Sequence, residues 1–277
     1  LKKFKPEIAI HLASQPLVLD SYLDTKKTFL TNVMGTVNFL ETMKNLRTLK
    51  KIIIFTSDKV YRNLKGSVLN ENSPLGGIDP YSASKSCQDI ISTSYKSAIY
   101  KKNIEIIILR AGNIIGGGDW NEYRLVPDIF KSIHNKKKVY IRNPNAIRPW
   151  QHILEIINVF ILIIIKKKSK ISHKPDIYNI APSIKSNLRV IDLIKLIKNV
   201  ETNNKFNFSI KKNSKYESKI LKLSSLNAKK KINYKPILNL KKSIQLTSDW
   251  YNSYYKRKNL NMFDFTINQI KNFFNAT

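Results

Sequence analysis

The chain has 277 residues, of which 42% are hydrophobic, so it can bury the core of one large α/β domain or of two closely joined ones. Its 49 basic and 19 acidic residues give a net charge of +30, but no basic motif with interleaved aromatic residues accompanies this charge, and we predict no nucleic-acid binding. The longest apolar run, Ile153–Ile165, is too short for a membrane span, and a single cysteine, Cys87, excludes an internal disulfide and favours the cytoplasm.

Strands and helices alternate in the first part of the chain. Apolar, β-branched runs predict buried strands at Ile8–Ala13, Lys51–Ser57 and Ile104–Arg110. Apolar residues at helical spacing predict an amphipathic helix over 27–45, and Asp79 and Pro80 are typical of the start of a helix that runs to about Tyr100. This order indicates right-handed βαβ units in a parallel sheet.

The second part of the chain has shorter predicted elements, and no glycine follows Gly118. The shorter predicted elements are a helix at 125–134, a strand at 138–142, a helix around 152–166 and a strand at 177–180. We therefore predict that residues 1–118 form the sheet domain and that residues 119–277 form mainly a smaller second region. Some of the later segments, at about 152–182, are expected to return to the sheet domain.

Polar residues follow the second strand directly, in the sequence Thr56-Ser57-Asp58-Lys59. Parallel sheets bind ligands outside the carboxyl ends of their strands, so this cluster lies where the active sites of such sheets are usually found. Ser and Asp are also ordinary turn residues, and a simple turn explains this stretch equally well when it is taken alone.

Tyr81 and Lys85 lie four residues apart on the predicted helix, and therefore on one face of it. A nearby ammonium group lowers the pKa of a phenol, which lets the tyrosine accept a proton from a sugar hydroxyl near neutral pH. An ordinary helix pair is the alternative, but Ser57 at the end of the preceding strand favours a chemical role.

Four longer motifs strengthen this interpretation: Thr56–Lys59, Pro74–Lys85, Arg110–Trp120 and Ile141–His152. With them the chain resembles the extended short-chain dehydrogenase/reductase family, and within it the nucleotide-sugar 4,6-dehydratases, most of all the branch that acts on CDP-glucose. Except for a looser stretch at about 200–235, the likeness covers nearly the whole chain. It implies a Rossmann-like, doubly wound parallel sheet that lacks its first strands, with a smaller C-terminal α+β substrate region.

The resemblance also implies an internal redox cycle on a bound NAD. Tyr81 would take the proton of the sugar 4-hydroxyl, Ser57 would bond the 4-oxygen, and Lys85 would hold the cofactor ribose. Asp58 matches the acid for water loss, which requires a raised pKa. Lys59 stands where a related branch has a glutamate that removes the C5 proton. It would act either as that base or as a cation that stabilises the enolate, and the sequence leaves both roles open.

Further site residues follow from the resemblance. The expected NAD contacts are Leu12, Ala13, Ser14, Asn32, Thr56, Tyr81 and Lys85. The expected contacts to the nucleotide-sugar, CDP-glucose, are Gln15, Asn113, Arg124, Arg142, Arg148 and His152. Arginine suits a diphosphate because its guanidinium group can bind bidentately, although surface charge is the alternative for Arg142 and Arg148. His11 is expected to be a satisfied core histidine, and no spacing suggests a metal site.

The chain starts at Leu1 and not at Met, and we interpret it as a fragment. The family's glycine-rich loop, which binds the NAD pyrophosphate, would lie upstream, and the fragment alone is expected to be unstable or inactive. The parent protein is expected to be a homodimer or a higher homo-oligomer. The alternatives are another extended-family enzyme such as an epimerase, against which Asp58-Lys59 stands, or a basic binding protein or decayed remnant without turnover.

Overall fold

The computed structural model describes residues 3–62, 66–100, 104–166, 172–201, 206–211, 216–256 and 260–275. The strands are β1 Ile8–His11, β2 Lys51–Phe55, β3 Glu105–Ala111, β4 Ile114–Ile115, β5 Val139–Ile141, β6 Ile147–Pro149, β7 Gln151–His152, β8 Asp176–Ile180, β9 Asn187–Arg189 and β10 Phe208–Ile210. The α-helices are α1 Val18–Leu23, α2 Thr25–Phe29, α3 Gly35–Lys44, α4 Pro80–Ser94, α5 Leu125–Asn135, α6 Ile153–Ile165, α7 Val190–Val200, α8 Leu226–Ile232, α9 Leu240–Lys256 and α10 Met262–Asn275. Among the described helices, none combines the length and the apolar composition that a membrane crossing requires.

The main sheet has the strand order β1-β2-β3-β8, and each neighbouring pair is parallel. Ile52, Ile53 and Ile54 of β2 are fully buried, as expected for a central strand that is covered on both faces. The strands predicted around residues 8, 51, 104 and 177 are all present, and the prediction of a parallel α/β sheet is confirmed.

The first strand differs from the prediction of a buried run. β1 ends at His11, and Ile10 and Leu12 have exposed fractions of 38% and 56%. In the described sheet β1 pairs on one side only, with β2. An edge strand has fewer neighbours to cover its side chains, and this explains the exposure.

The predicted helix over 27–45 forms as a composite element. α2 passes through a π-helical turn, Leu30–Met34, into α3. Leu40 and Met43 of α3 pack in one apolar cluster with the β2 residues Ile52 and Ile54, so the helix covers the sheet as its periodicity predicts.

The helix predicted from Pro80 to Tyr100 is also confirmed, again with a π-helical turn, Tyr95–Tyr100, after α4. Asp79 caps its N-terminus, since one carboxylate oxygen accepts from the Ser82 N–H at 2.9 Å and the other accepts from the Ser82 hydroxyl at 2.6 Å. Pro80 occupies the first turn, where its missing N–H costs nothing.

The chain divides into two compact units. The first unit comprises Leu1–Gly112, Leu162–Ile180 and Lys215–Tyr234, and the second comprises Asn113–Ile161, Ala181–Ser214 and Lys235–Thr277. The first unit ends before the position of 118 that we inferred from the sequence, because Ile114 and Ile115 form β4 and pair with β7 of the second unit. The segment at 215–234 also belongs to the first unit, where Leu223 forms a bridge with Leu69.

The second unit contains three small two-stranded sheets. β4 with β7 and β5 with β10 are parallel pairs, and β6 with β9 is an antiparallel pair. Its core includes Phe130 of α5, Ile194 of α7 and Ile244 of α9, all at most 1% exposed. The helix predicted at 125–134 and the strand predicted at 138–142 are both present in this unit.

Candidate active site

The polar cluster after β2 is held in a 3-10 turn, Asp58–Val60. The Ser57 hydroxyl accepts a hydrogen bond from the Lys59 N–H at 3.2 Å and lies 3.1 Å from Asp58 Oδ1, to which it donates. Thr56 fixes the strand end, because its N–H and its hydroxyl both donate to the Leu109 carbonyl, at 2.8 and 3.2 Å. Ser57 and Asp58 are buried, at 4% and 1% exposure, so their position is set by the fold.

Gly112 closes the space beside the Asp58 carboxylate. A Cβ atom at Gly112 would lie 2.2 Å from the Asp58 carboxyl carbon and one of its oxygens, a distance that no side chain tolerates. Gly112 lies within the motif Arg110–Trp120, in which no local pattern marks it for this contact. Its contact with Asp58 depends on the pairing of β2 with β3, which a single sequence does not reveal.

Tyr81 lies next to the same cluster. The Lys59 ammonium nitrogen is 6.0 Å from the centre of the Tyr81 ring. The Ser86 hydroxyl on α4 donates to the Val60 carbonyl at 2.8 Å and attaches this helix to the turn that carries Asp58. The Tyr81 N–H donates to the Ser21 hydroxyl at 3.1 Å. The structure therefore brings together the strand-end cluster and the helix tyrosine that the sequence singled out.

Lys85 follows Tyr81 on the same face of α4 and is 2% exposed. Burial lowers the pKa of its ammonium group from the ordinary 10.5 to about 8, because a low-dielectric environment disfavours charge. The group is thus mostly charged at neutral pH but can exchange its proton more readily than a surface lysine can.

A carboxylate that the sequence analysis missed completes this side of the site. Glu217 Oε1 lies 3.7 Å from Lys59 Nζ, and the two side chains are 24% and 12% exposed. Glu217 falls in the Lys-rich stretch in which the likeness to the dehydratases is loosest. No local pattern marks it, since its partner lies in a distant part of the chain.

Asn32 links the loop after β1 to α4. Its Nδ2 donates to the Gln15 carbonyl at 3.1 Å and to the Ser84 hydroxyl at 2.8 Å, while its Oδ1 accepts from the Gln15 N–H at 2.7 Å. The Gln15 side-chain amide is also engaged, since it donates to the Thr28 hydroxyl at 2.9 Å. In this structure both side chains shape the loop that follows β1.

Leu12, Ala13 and Ser14 form that loop. They follow the carboxyl end of β1, and the first two are exposed while Ser14 is partly buried. His11, the residue before them, is a core histidine as predicted: its Nε2 lies 3.1 Å from the Thr36 hydroxyl, and its ring stacks on Phe39. Burial and, to a smaller extent, the Lys85 charge lower the pKa of His11.

In the second unit, Asn113 begins a glycine-bearing loop. Its φ of 52° lies in the left-handed region, which asparagine tolerates better than most residues, and its carbonyl accepts from the Gln151 N–H at 3.3 Å. At Gly117 a Cβ atom would lie 2.0 Å from the Trp250 indole, so the backbone of this loop packs directly against the ring.

The three predicted arginines of this unit have different environments. Arg124 pairs with Asp119 at 2.9 Å, and Arg142 donates to the Tyr123 carbonyl at 3.0 Å, so both bind the loop at 119–123. Arg148 is 3% exposed, and its Nη1 donates to the Ile147 carbonyl at 2.9 Å. A role for these groups in diphosphate binding stays a prediction.

His152 is buried in the second unit, at 3% exposure. Its Nδ1 accepts from the Leu154 N–H at 3.3 Å, which leaves the proton of the neutral ring on Nε2. Burial lowers the pKa of His152 from 6.5 to about 4, so the ring is uncharged at neutral pH. Among the described residues, no hydrogen-bond partner of Nε2 is found.

Comparison with known proteins agrees with this geometry. The profile of the family described as GDP-mannose 4,6 dehydratase matches residues 1–247. CDP-glucose 4,6-dehydratase of Salmonella typhimurium is 44% identical over 170 residues, which cover 59% of this chain and 47% of that protein. dTDP-D-glucose 4,6-dehydratase of Dictyostelium discoideum is 32% identical over 203 residues, which cover 68% of this chain and 44% of that protein. The chain thus spans about half the length of these two curated relatives.

A solved structure supports the fold. UDP-glucuronic acid 4-epimerase from Bacillus cereus, in complex with UDP-glucuronic acid and NAD, superposes with a TM-score of 0.80 at 21% identity, covering 90% of this chain and 76% of that one. The prediction of a Rossmann-like fold is confirmed. The family match over residues 1–247 shows that the chain belongs to the GDP-mannose 4,6 dehydratase family, within the extended short-chain dehydrogenases/reductases.

Proposed function

We propose that this chain carries the catalytic residues of a nucleotide-sugar 4,6-dehydratase that converts CDP-glucose to CDP-4-keto-6-deoxyglucose with a bound NAD. One observation carries the proposal: Ser57, Asp58 and Lys59 lie in one turn at the carboxyl end of β2, with Lys59 Nζ 6.0 Å from the Tyr81 ring. A dehydrogenase needs only the serine, the tyrosine and a lysine such as Lys85. The additional buried carboxylate of Asp58 supports a reaction that also loses water.

The residues of the first unit fit a dinucleotide. Lys85 is a buried ammonium group to which, in the described part of the chain, no carboxylate or carbonyl is bound, and ribose hydroxyls would satisfy it. The exposed Leu12 and Ala13 lie beyond the carboxyl end of a parallel strand, where such sheets bind ligands. Bound NAD would accept a hydride from C4 of the sugar and later return it to C6.

Tyr81 begins the reaction as the base for the sugar 4-hydroxyl. Lys85, on the next turn of α4, supplies a positive charge that stabilises the phenolate form of the tyrosine. With the sugar bound, the Ser57 hydroxyl would turn its proton from Asp58 Oδ1 to the 4-oxygen as that atom becomes a carbonyl. The resulting 4-keto group makes the C5 proton acidic.

Asp58 takes part in the second stage, in which water leaves from C5 and C6. Its carboxyl group would donate a proton to the departing 6-hydroxyl, and a base would take the proton from C5. The nearby backbone of Gly112 limits the movement of this carboxyl group. A general acid of this kind contributes a rate factor of about 10² to 10⁴.

The preference for CDP-glucose rests on the relative from Salmonella typhimurium, which is 44% identical over 170 residues. Arg124 and Arg142, which both bind the loop at 119–123, are candidates for the diphosphate, together with Arg148. We also propose that the enzyme is a cytoplasmic homo-oligomer. The free thiol of Cys87 supports a reducing compartment.

The proposal is tested by incubating the full-length protein and NAD with CDP-glucose, dTDP-glucose, UDP-glucose and GDP-mannose, each in a separate reaction. We expect a product that has lost one water and carries a keto group, formed fastest from CDP-glucose. Mass spectrometry measures the loss of water, and reduction by borodeuteride traps the keto group.

Two variants control this experiment. Tyr81→Phe should abolish product formation, and Glu7→Gln, which alters an exposed ion pair with Lys50, should leave it unchanged. A product of unchanged mass would support an epimerase, such as the enzyme from Bacillus cereus with the same fold. No product from any of the four sugars would refute the proposed activity.

A further inference from the structure

The ion pair between Lys59 and Glu217 lies at the centre of the proposed site. Lys59 adjoins Asp58 in the 3-10 turn, and its Nζ is 3.7 Å from Glu217 Oε1 and 6.0 Å from the centre of the Tyr81 ring. Both side chains are largely shielded, at 12% and 24% exposure, so solvent weakens their attraction less than it weakens that of a surface pair.

Glu217 is fixed by its own segment. The residue before it, Tyr216, accepts a hydrogen bond at its carbonyl from the Tyr22 hydroxyl, at 3.2 Å, on α1. Further along, Leu69 N–H donates to the Lys222 carbonyl and Ser224 N–H donates to the Leu69 carbonyl, both at 2.9 Å. The carboxylate therefore approaches Lys59 from a segment that is attached to the first unit on both sides.

The charge of Glu217 bears on what Lys59 can do. A lysine that removes a proton from carbon must present a free electron pair, whereas an ammonium group has none. A carboxylate at this distance restricts the directions that the side chain can take. A charged amine near Tyr81 is suited instead to stabilise the negative charge that develops on the sugar 4-oxygen.

We propose that Glu217 is a positioning residue that holds the Lys59 ammonium group beside Tyr81, so that Lys59 acts as a cation that stabilises the negative charge on the sugar 4-oxygen. This inference rests on the proposed dehydratase function and deepens it. It assigns a role to a residue that the family motifs in the sequence do not mark.

The first test needs no turnover. The chain is treated with limiting acetic anhydride, which acetylates free amines, and the modification of Lys59 is measured by peptide mass spectrometry relative to Lys44, whose partner Glu41 is the same in every variant. In Glu217→Gln the labelling of Lys59 should rise at least about sevenfold, the factor for losing the attraction of two unit charges at this separation in water. Glu217→Asp should restore most of the protection, and Glu7→Gln should leave Lys59 unchanged.

The second test measures product formation from CDP-glucose in a single turnover. Lys59→Arg keeps a positive charge but cannot act as a base, because arginine stays protonated. It should retain roughly a tenth of the wild-type rate, whereas Lys59→Gln should lose about a hundredfold, as is typical for a lost electrostatic contact. Glu217→Gln should slow product formation, and Glu217→Asp should recover it in part.

The outcomes separate this inference from the proposed function. Unchanged labelling of Lys59 in Glu217→Gln overturns the positioning role, whether or not the chain turns over any sugar. An arginine variant as inactive as the glutamine variant overturns the cationic role. If wild type forms no product while Glu217→Gln increases the acetylation of Lys59, the proposed function is refuted and the positioning role of Glu217 is supported.

Discussion

Replacing Lys85 by methionine removes a charge that the fold buries. Burial lowers the pKa of Lys85 from 10.5 to about 8, and each pH unit corresponds to about 1.36 kcal/mol. At pH 7 the charged side chain therefore costs the folded state about 3 kcal/mol. Lys85→Met keeps an unbranched side chain of similar size, so it should raise the free energy of unfolding by about that amount while it abolishes catalysis.

The pH dependence gives the sharper test. Between pH 8 and 10.5 the unfolded chain binds more protons at Lys85 than the folded chain does, because the folded pKa is the lower one. The free energy of unfolding of wild type should therefore rise with pH in this window. The advantage of Lys85→Met should be constant below pH 8 and should disappear as the pH approaches 10.5.

The assay is urea unfolding followed by far-ultraviolet circular dichroism at pH 7, 9 and 10.5. Lys96→Met is the matched control, since Lys96 is equally buried but donates to the Ile104 carbonyl at 2.7 Å. Loss of that hydrogen bond leaves a buried carbonyl without its donor and should destabilise the chain. A Lys85→Met variant that is less stable than wild type at pH 7, or whose advantage does not change with pH, would refute the reasoning.

Three further predictions concern the site and its supports. Gly112→Ala places a methyl group 2.2 Å from the Asp58 carboxyl and should slow water loss about a hundredfold in a single-turnover assay, since small displacements of a catalytic group have effects of this size. Arg110→Lys breaks a bidentate pair with Asp89, at 2.7 Å for both bonds, and should lower the free energy of unfolding in urea by about 3 kcal/mol. His152 has a pKa lowered to about 4 by burial, so wild type should lose thermal stability as the pH falls from 6.5 to 4, and His152→Gln should flatten this dependence of Tm on pH.

Each of these predictions has a control or a contrary outcome. The control is Gly35→Ala, whose added methyl group would lie 3.9 Å from the Leu30 carbonyl oxygen, an ordinary contact distance. If it slows the reaction as much as Gly112→Ala does, steric contact with Asp58 is not the cause of the lost activity. Arg189→Lys changes an exposed pair and should alter the free energy of unfolding by less than about 1 kcal/mol. A steep loss of Tm below pH 6.5 in His152→Gln would assign the acid sensitivity to other groups.

The sequence predicts the sheet well, because its strands carry strong local signals. Ile52–Ile54 form a β-branched run that is typical of a buried strand, and Asp79-Pro80 marks the start of α4 by ordinary capping chemistry. The proximity of Lys59 to Tyr81 was also predictable, since both positions follow from motifs that carry the family resemblance.

Other features depend on contacts between distant parts of the chain. Glu217 meets Lys59 only because the segment at 215–234 returns to the first unit. Gly112 acquires its role from the neighbouring strand, and the exposure of Ile10 follows from the place of β1 at an edge. Local periodicity carries no information on which strands become neighbours, so these features required the structure.

The π-helical turn at Leu30–Met34 restricts the number of residues between α2 and α3. Such a turn holds one residue more than an α-helical turn, so it behaves as a one-residue insertion. Deleting one residue of this turn would let the helix close into regular α-helical geometry while its two halves keep their faces, because a π-helical turn absorbs its extra residue locally. Asn32 lies within the turn, so it would move and lose its hydrogen bond to Ser84, while Leu40 would stay on the sheet. The hydrogen bond from Asn32 to Ser84 therefore depends on the number of residues in this turn as well as on the asparagine side chain.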